Sequence, residues 1–157
     1  MMLLTRQRYK RPRSMRLALL LSLYAWPVLA HSEKLYVIVN PTSGVEQLSK
    51  NEVVNIYMGR DQTLTRQLTA LPIDINAEFP EKGLFYQRLI NRDIAEVNSY
   101  WVRVMFSGNA SPPREVDNYE RVKSLIRNNQ STIAYVPEAV LNQLTPEDCK
   151  VVYVLNP

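Results

Sequence analysis

The sequence has few of the side chains from which catalytic and metal sites are commonly built. Its 157 residues include one histidine, His31, and one cysteine, Cys149. A catalytic triad or a histidine-based metal site needs a histidine held among partners within the fold. His31 is also the first residue after the predicted leader described below. We therefore expect no enzyme activity, no metal and no cofactor, and we assign no catalytic residue.

The single cysteine excludes an intramolecular disulfide bond. Cys149 comes just before an apolar run near the C-terminus, where a small residue at the edge of the last strand is favoured over a reactive thiol. The acidic residues are scattered, and most of them occur where helix starts and solvated faces would place them. Their positions favour structural roles over acid-base catalysis.

A long apolar run is also missing. The run at residues 17–30 has 14 residues, whereas a helix that crosses a bilayer needs about 20. Six basic residues and no acidic residue precede this run, and Ala30 ends it. A basic segment, an apolar segment and a small residue in that order are typical of a secretory signal. We expect residues 1–30 to be a signal peptide cleaved near Ala30, with no stable membrane anchor afterwards.

Removing the signal reverses the charge. The full chain has 19 Lys and Arg against 15 Asp and Glu, a formal net charge of +4. The leader contains six of the basic residues and none of the acidic ones, so residues 31–157 have 13 basic residues and a net charge of −2. A basic surface for nucleic acid is therefore not expected.

The remaining segments predict one α/β domain at residues 31–157. Apolar and β-branched runs predict strands at residues 35–39, 68–75, 132–136 and 151–155. Capping residues, prolines and helical spacing predict helices at 49–59, 80–90, from 94 onward, around 119–126 and at 137–144, with a loop at 108–114. The predicted architecture is a three-layer sandwich, with a mixed sheet of about four strands and helices on both faces.

The predicted helix after Asp93 has the clearest apolar stripe in the chain. Ile94, Val97, Trp101, Val104 and Met105 recur at steps of three and four residues. The neighbouring aromatic residues could instead form a stacking platform for a ligand. Burial of large aromatic side chains is the more general pattern, so we expect Tyr100, Trp101 and Phe106 to pack in the core.

Two loops follow predicted strands and are candidate anion sites, because such loops present backbone N–H groups. The first contains Thr42, Ser43 and Gly44, with two hydroxyls and a glycine. The second, residues 76–83, contains Asn76 and Lys82. Glu78 and Glu81 lie in the same loop and would oppose an anion.

Several stretches together resemble the phosphate-binding periplasmic proteins of ABC importers. The most specific is Ile56-Tyr57-Met58-Gly59-Arg60, which is similar to that family's Ile-Phe/Tyr-Leu-Gly-Lys. Ile133-Ala134-Tyr135-Val136 resembles its late Ile-Gly-Tyr-Val. Shorter matches are Val37-Ile38-Val39-Asn40-Pro41, Leu48-Ser49, Tyr100-Trp101 and Phe106-Ser107-Gly108.

The resemblance implies the fold of one lobe, the second, of a type II periplasmic binding protein. In that family, a strand of this lobe leads into Arg-x-x-x-Ser-Gly-Thr, which grips the phosphate. The matching place here is residues 76–83, which contain no arginine, serine or threonine. Those donors make the charge-assisted hydrogen bonds that offset the dehydration of phosphate, so their absence argues against tight phosphate binding.

Two functions remain open from the sequence. The first is a periplasmic solute-binding-type protein that recognises a small oxyanion or another small solute and completes its cleft as a homodimer. The second is a non-enzymatic interaction module of an envelope complex or sensor, with an envelope protein as its partner.

Overall fold

Five strands and five α-helices form the fold of residues 34–157, the part of the chain that the computed structural model describes. The predicted signal peptide lies outside these residues. The strands are β1 (Leu35–Val39), β2 (Leu71–Ile75), β3 (Arg114–Val116), β4 (Thr132–Pro137) and β5 (Lys150–Leu155). The helices are α1 (Lys50–Tyr57), α2 (Pro80–Ile90), α3 (Ile94–Phe106), α4 (Tyr119–Asn128) and α5 (Glu138–Leu141), and a 3₁₀ turn covers Pro41–Ser43.

The strands form one mixed sheet in the order β3-β2-β4-β1-β5. Strand β2 is parallel to β3 and β4, whereas β1 is antiparallel to both β4 and β5. Leu35 at the start of β1 pairs with Leu155 at the end of β5. The mixed α/β sheet is confirmed, but it has five strands rather than about four. The additional strand is β3, whose first residue, Arg114, was predicted to lie in a loop.

Local capping signals explain where α1 and α3 begin. The Ser49 hydroxyl accepts a hydrogen bond from the Glu52 backbone N–H, and the Glu52 carboxylate accepts from the Ser49 N–H at 2.7 Å. Asp93 and Glu96 make the same reciprocal pair at the start of α3. Each box satisfies two backbone donors that a helix start leaves free. Both predicted helix starts are therefore confirmed.

Helices cover both faces of the sheet. All six residues of β4 are buried, so neither face of this central strand is open to solvent. On one face, Phe85 of α2 stacks on Tyr135 with ring centroids 3.8 Å apart. Helix α4 packs on β4, β2 and β3 from the other face. Buried tyrosine, isoleucine, valine and leucine side chains fill the space between these layers.

Helix α3 departs from its predicted packing near its C-terminal end. Val97 and Trp101 are buried, and Tyr100 is half-buried with its hydroxyl donating to the Met58 carbonyl at 2.8 Å. Met105 and Phe106 were expected in the core, yet they are 50% and 90% exposed. The last turn of α3 extends past the elements that cover its earlier turns, so these predictions were wrong.

Three smaller features also bear on the sequence predictions. Strand β2 starts at Leu71, three residues later than predicted, and α5 is a single turn that ends at Leu141 rather than at residue 144. Cys149 is buried directly before β5, as expected. Among residues 34–157, no helix is long and apolar enough to cross a membrane.

Candidate functional site

A row of polar side chains crosses three neighbouring strands on the face that α2 covers. Asp74 of β2 pairs in register with Glu115 of β3. On its other side, β2 pairs with β4 through Leu71–Thr132 and Pro72–Ile133, and continuing this register brings Asp74 beside Tyr135. Residues that are directly opposite in a sheet project from the same face. The sheet thus aligns two carboxylates and a phenol that are far apart in the sequence.

The Asp74 carboxylate is the centre of this row. It is 4% exposed, and each of its oxygens accepts a hydrogen bond from a tyrosine hydroxyl. Tyr135 donates to one oxygen, and Tyr86 of α2 donates to the other at 2.9 Å. The Lys82 ammonium lies 3.4 Å from the second oxygen. A buried carboxylate needs partners of this kind to offset its loss of hydration.

Burial also shifts the titration of these groups. Loss of hydration raises the pKa of Asp74, while the Lys82 charge and the tyrosine hydrogen bonds oppose that rise. Burial, and then the Asp74 charge, raise the pKa values of Tyr86 and Tyr135 well above the usual 10.0. Both phenols therefore stay protonated near neutral pH and act as donors to Asp74.

Lys82 and Tyr86 reach this row from adjacent turns of α2. They are four positions apart in the sequence, so they share one helix face. The Lys82 ammonium is buried and donates to the Glu115 carboxylate at 2.5 Å. The Glu115 side chain is 54% exposed and faces solvent. The cluster thus contains two carboxylates and one ammonium, which gives an excess of one negative charge when both carboxylates are ionised.

A cavity of about 430 Å³ opens beside this cluster, and we call it the α3 cleft. Asp74, Lys82, Tyr86, Glu115 and Asn98 supply its polar lining. Its apolar lining is formed by Val97, Trp101, Val102, Met105, Pro112 and Pro113. It lies on the face of β2 and β3 from which Asp74 and Glu115 project, and the two prolines that precede β3 also line it. An apolar wall with a few converging polar groups is typical of small-molecule sites.

Helix α3 separates the α3 cleft from a second cavity of about 660 Å³, which we call the arginine groove. Arg60, Arg92 and Arg103 line the arginine groove, together with Asp93 and Glu96. Arg92 pairs with Glu96, and the two acidic residues also form the cap of α3. The two flanks of α3 therefore differ in charge, with excess negative charge in the cleft and excess positive charge in the groove.

The first predicted anion loop lies apart from the α3 cleft, and none of its three candidate residues lines the cleft. Val39 and Pro72 both pair with Ile133, so the end of β1 lies near the start of β2. The loop's polar groups bond locally, since the Thr42 hydroxyl donates to Asn40 and the Ser43 hydroxyl accepts from a backbone N–H. Gly44 ends the 3₁₀ turn with a φ of 79°.

Residues of the second predicted loop lie near the α3 cleft. Asn76 follows β2 and accepts a hydrogen bond from the Glu78 N–H at 2.8 Å, which closes a local turn. Lys82 lines the cleft but pairs with the two carboxylates of the cluster. The structure therefore does not gather the five predicted residues into one site, and ligand binding by any of them stays a prediction.

Four residues of this site were not predicted from the sequence, namely Asp74, Tyr86, Glu115 and Tyr135 as members of one cluster. One signal was present, because Asp74 interrupts an apolar strand and Lys82 and Tyr86 follow with helical spacing. Glu115 and Tyr135 lie beside Asp74 only because β3 and β4 pair with β2. The sequence pattern of a single segment does not show which strands will pair. Among residues 34–157, no group of three or more His, Cys, Asp or Glu side chains is arranged to hold a metal ion.

Solved structures that share this fold include proteins described as components of phosphate transport. An ABC-type phosphate transport receptor from Vibrio cholerae superposes with a TM-score of 0.59 and 13% identity, over 76% of this chain and 45% of that chain. A Clostridium perfringens structure assigned to phosphate ABC transporter substrate-binding proteins, with bound phosphate, gives a TM-score of 0.60 and 13% identity over 76% and 44%. No protein-family model and no curated protein sequence matches the chain.

These similarities define the class of fold. Residues 34–157 have the architecture of one lobe of a phosphate-transport binding protein, and the resemblance seen in the sequence is confirmed at that level. The chain spans about 45% of the length of the Vibrio cholerae receptor. Both compared structures are assigned to binding proteins rather than to enzymes.

Proposed function

We propose that the chain is an exported, non-enzymatic solute-binding lobe that takes a small solute in the α3 cleft. The observation that carries this proposal is the lining of the cleft. It combines the converging polar groups of the Asp74 cluster with an apolar wall, in a fold shared with proteins that bind a transported anion. Its volume of about 430 Å³ suits a small molecule.

A small oxyanion is the ligand that the resemblance implies, but the cleft offers it few free donors. Among residues 34–157, the only cationic side chain in the lining is Lys82, which pairs with Asp74 and Glu115. A bound anion would also lie near both carboxylates, and like charges at such distances repel. The solutes used to test binding should therefore include phosphate, sulfate, organic cations and neutral molecules.

Isothermal titration calorimetry on the purified chain tests the proposal. We expect saturable heat with at least one solute at up to millimolar concentration, and loss of that heat in Asn98→Trp. Asn98 is exposed and lines the cleft, so tryptophan there would fill the cavity. Ser99→Trp is the matched control, because Ser99 is also exposed but lies on the other flank of α3. Absence of heat with every class of solute would overturn the proposal.

Export places this binding lobe in the periplasm of the cell, where solutes are captured before transport. The basic and apolar leader supports this location. Fractionation of cells that express the full chain should recover it with the periplasmic proteins. Recovery in the cytoplasm would leave solute binding possible but would contradict the proposed location.

A second candidate function is an interaction module, and the exposed end of α3 favours it. Phe106, the last residue of α3, is 90% exposed. Val102 and Met105 are about half exposed beside it. Contiguous exposed apolar side chains often mark contact surfaces. An envelope protein or a second copy of this chain would cover them.

Sedimentation of the purified chain and pull-down from envelope extract test the second candidate. A dimer, or a stoichiometric partner, that is lost in Phe106→Ser would support it. Leu84→Ser is a control with an exposed apolar side chain on another helix. A monomer without a partner, or a complex that persists in Phe106→Ser, would count against the interaction module.

A further inference from the structure

We propose that the α3 cleft selects an organic cation, a small amine with an apolar body, over an anion of the same shape. This inference rests on the proposed solute-binding function and names its ligand class. It follows from the way the cleft divides into a charged side and an apolar side. The charged side consists of Glu115, Asp74 and Lys82, and the apolar side is formed mainly by residues of α3 and by Pro112 and Pro113.

The charged side favours a cation because it contains two carboxylates and only one ammonium group. Asp74 already has partners at both oxygens, from two tyrosines and Lys82. Glu115 differs, because its carboxylate pairs with Lys82 through one oxygen and its side chain is 54% exposed. A ligand ammonium can therefore reach Glu115 without breaking the Asp74 hydrogen bonds.

The same geometry disfavours an anion. Lys82 is 7% exposed, and its ammonium lies between the two carboxylates, at 2.5 Å from Glu115 and 3.4 Å from Asp74. An anion that approached Lys82 would also lie near both carboxylates. When both carboxylates are ionised the cluster has a net charge of −1, so it repels an anion, and this repulsion is stronger in a partly desolvated cleft than in water.

The apolar side supplies contact for the body of the ligand. Trp101 lines the cleft, and Met105 and Val102 are about half exposed along the same flank of α3. Prolines 112 and 113 complete this side. Aromatic and methionine side chains give both apolar contact and attraction to a nearby cation. A primary amine on a short aromatic or aliphatic body matches both sides of the cleft.

Tryptophan fluorescence provides a direct test. The chain has two tryptophans, so Trp26→Phe in the full chain leaves Trp101 as the only one. The probes are 2-phenylethylammonium and 3-phenylpropionate, which have similar bodies and opposite charges, with inorganic phosphate as a third probe. We expect a saturable change in Trp101 emission with the amine and at least tenfold weaker binding of either anion.

Two variants assign the selectivity to residues. Glu115→Gln should weaken amine binding about tenfold or more, since it removes the accessible carboxylate. Glu147→Gln makes the same charge change at an exposed residue near β5, at the far edge of the sheet, and should leave binding unchanged. Met105→Ala should weaken the amine without altering the preference for a cation. Since Glu115 and Met105 are both half exposed, the fold should tolerate these changes.

The outcomes separate this inference from the proposed function. If an anion binds as tightly as the amine, or if Glu115→Gln leaves amine binding unchanged, the charge selectivity is wrong although solute binding stands. If the amine fails while phosphate binds and Asn98→Trp abolishes that binding, the cleft is an oxyanion site and the inference is again wrong. If no probe and no solute of the calorimetric panel binds, the proposed function itself fails.

Discussion

Asp74 connects three separate parts of the fold through a single carboxylate. Its oxygens accept hydrogen bonds from Tyr86 of α2 and Tyr135 of β4, and Lys82 lies close by. Buried polar groups in such a network stabilise the fold by satisfying one another's hydrogen bonds. Removing Asp74 therefore leaves its buried partners unsatisfied and lowers the free energy of unfolding.

Asp74→Ala should be strongly destabilising, because it leaves two buried phenols without their acceptor and Lys82 with one carboxylate instead of two. We expect a loss of about 3–5 kcal/mol in the free energy of unfolding. Urea denaturation followed by circular dichroism measures it. Asp117→Ala removes an exposed carboxylate nearby and should change stability by less than about 0.5 kcal/mol. Equal effects of the two changes would show that the Asp74 cluster contributes little.

The raised pKa of Asp74 predicts that the stability of the fold depends on pH. Burial raises its pKa above the usual 3.8, so the folded chain keeps this proton to a higher pH than the unfolded chain does. The contribution of Asp74 to stability is therefore complete below pH 3.8 and falls as pH rises through the folded-state pKa. Asp74→Asn has no such titration.

The Asp74→Asn variant should consequently gain stability relative to the parent chain as the pH rises from about 3 to about 7. Asparagine keeps a carbonyl acceptor, and its amide can donate to a tyrosine oxygen. Urea denaturation of both chains at several pH values gives the difference. If the difference in free energy of unfolding stays constant with pH, or if the parent chain gains stability relative to Asp74→Asn as the pH rises, the raised pKa of Asp74 is contradicted.

Only one member of the Asp74 cluster could be identified from the sequence as a candidate ligand residue. Lys82 was identified as a candidate ligand residue, and the structure does place it in the α3 cleft. Its carboxylate partners were not identified, because Glu115 reaches it only through the pairing of β2 with β3. A pattern within one segment cannot show which distant segment will lie beside it.

At the scale of elements, Gly59 fixes how α1 meets α3. It follows α1 with a φ of 64°, and a Cβ added there would lie 2.8 Å from the Trp101 ring and 2.9 Å from the Ala110 Cβ. A side chain would therefore be strained both by the backbone conformation and by the close contact. The glycine in the motif at residues 56–60 thus has a packing role.

Two glycine substitutions make a matched pair. Gly59→Ala should lower the free energy of unfolding by about 2–4 kcal/mol, from the left-handed backbone and from overpacking against Trp101. Gly83→Ala, within α2 and with no atom within 4 Å of the added Cβ, should raise it by about 0.5–1 kcal/mol. Thermal and urea denaturation measure both. Similar effects from the two variants would contradict the close packing at Gly59.

Elements with local signals were predicted well, and those that depend on distant contacts were not. The capping boxes at Ser49 and Asp93 contain both partners within four residues, so the starts of α1 and α3 could be located from sequence. Strand β3 has three residues and exists because β2 pairs with it. Helical spacing grouped Met105 with the core stripe, but it could not show that the end of α3 extends beyond the core.

The proposed export predicts that the mature chain has a defined N-terminus. When the full sequence is expressed in a host with a periplasm, intact-mass measurement should give a chain that begins at His31. Ala30→Arg removes the small residue before the predicted cut and should leave residues 1–30 attached. A wild-type protein that keeps residues 1–30 would show that the leader is not a cleaved signal.

The pairing of Leu35 with Leu155 means that the first and last strands of residues 34–157 are neighbours. A short peptide could join residue 157 to residue 34, and new ends could be opened between the exposed Arg66 and Gln67. Because neither junction touches the residues that line the α3 cleft, we expect this circular permutant to fold within about 1–2 kcal/mol of the parent. Urea denaturation tests this, and a permutant that binds the same solutes would show that the cleft depends on spatial neighbours rather than on chain order.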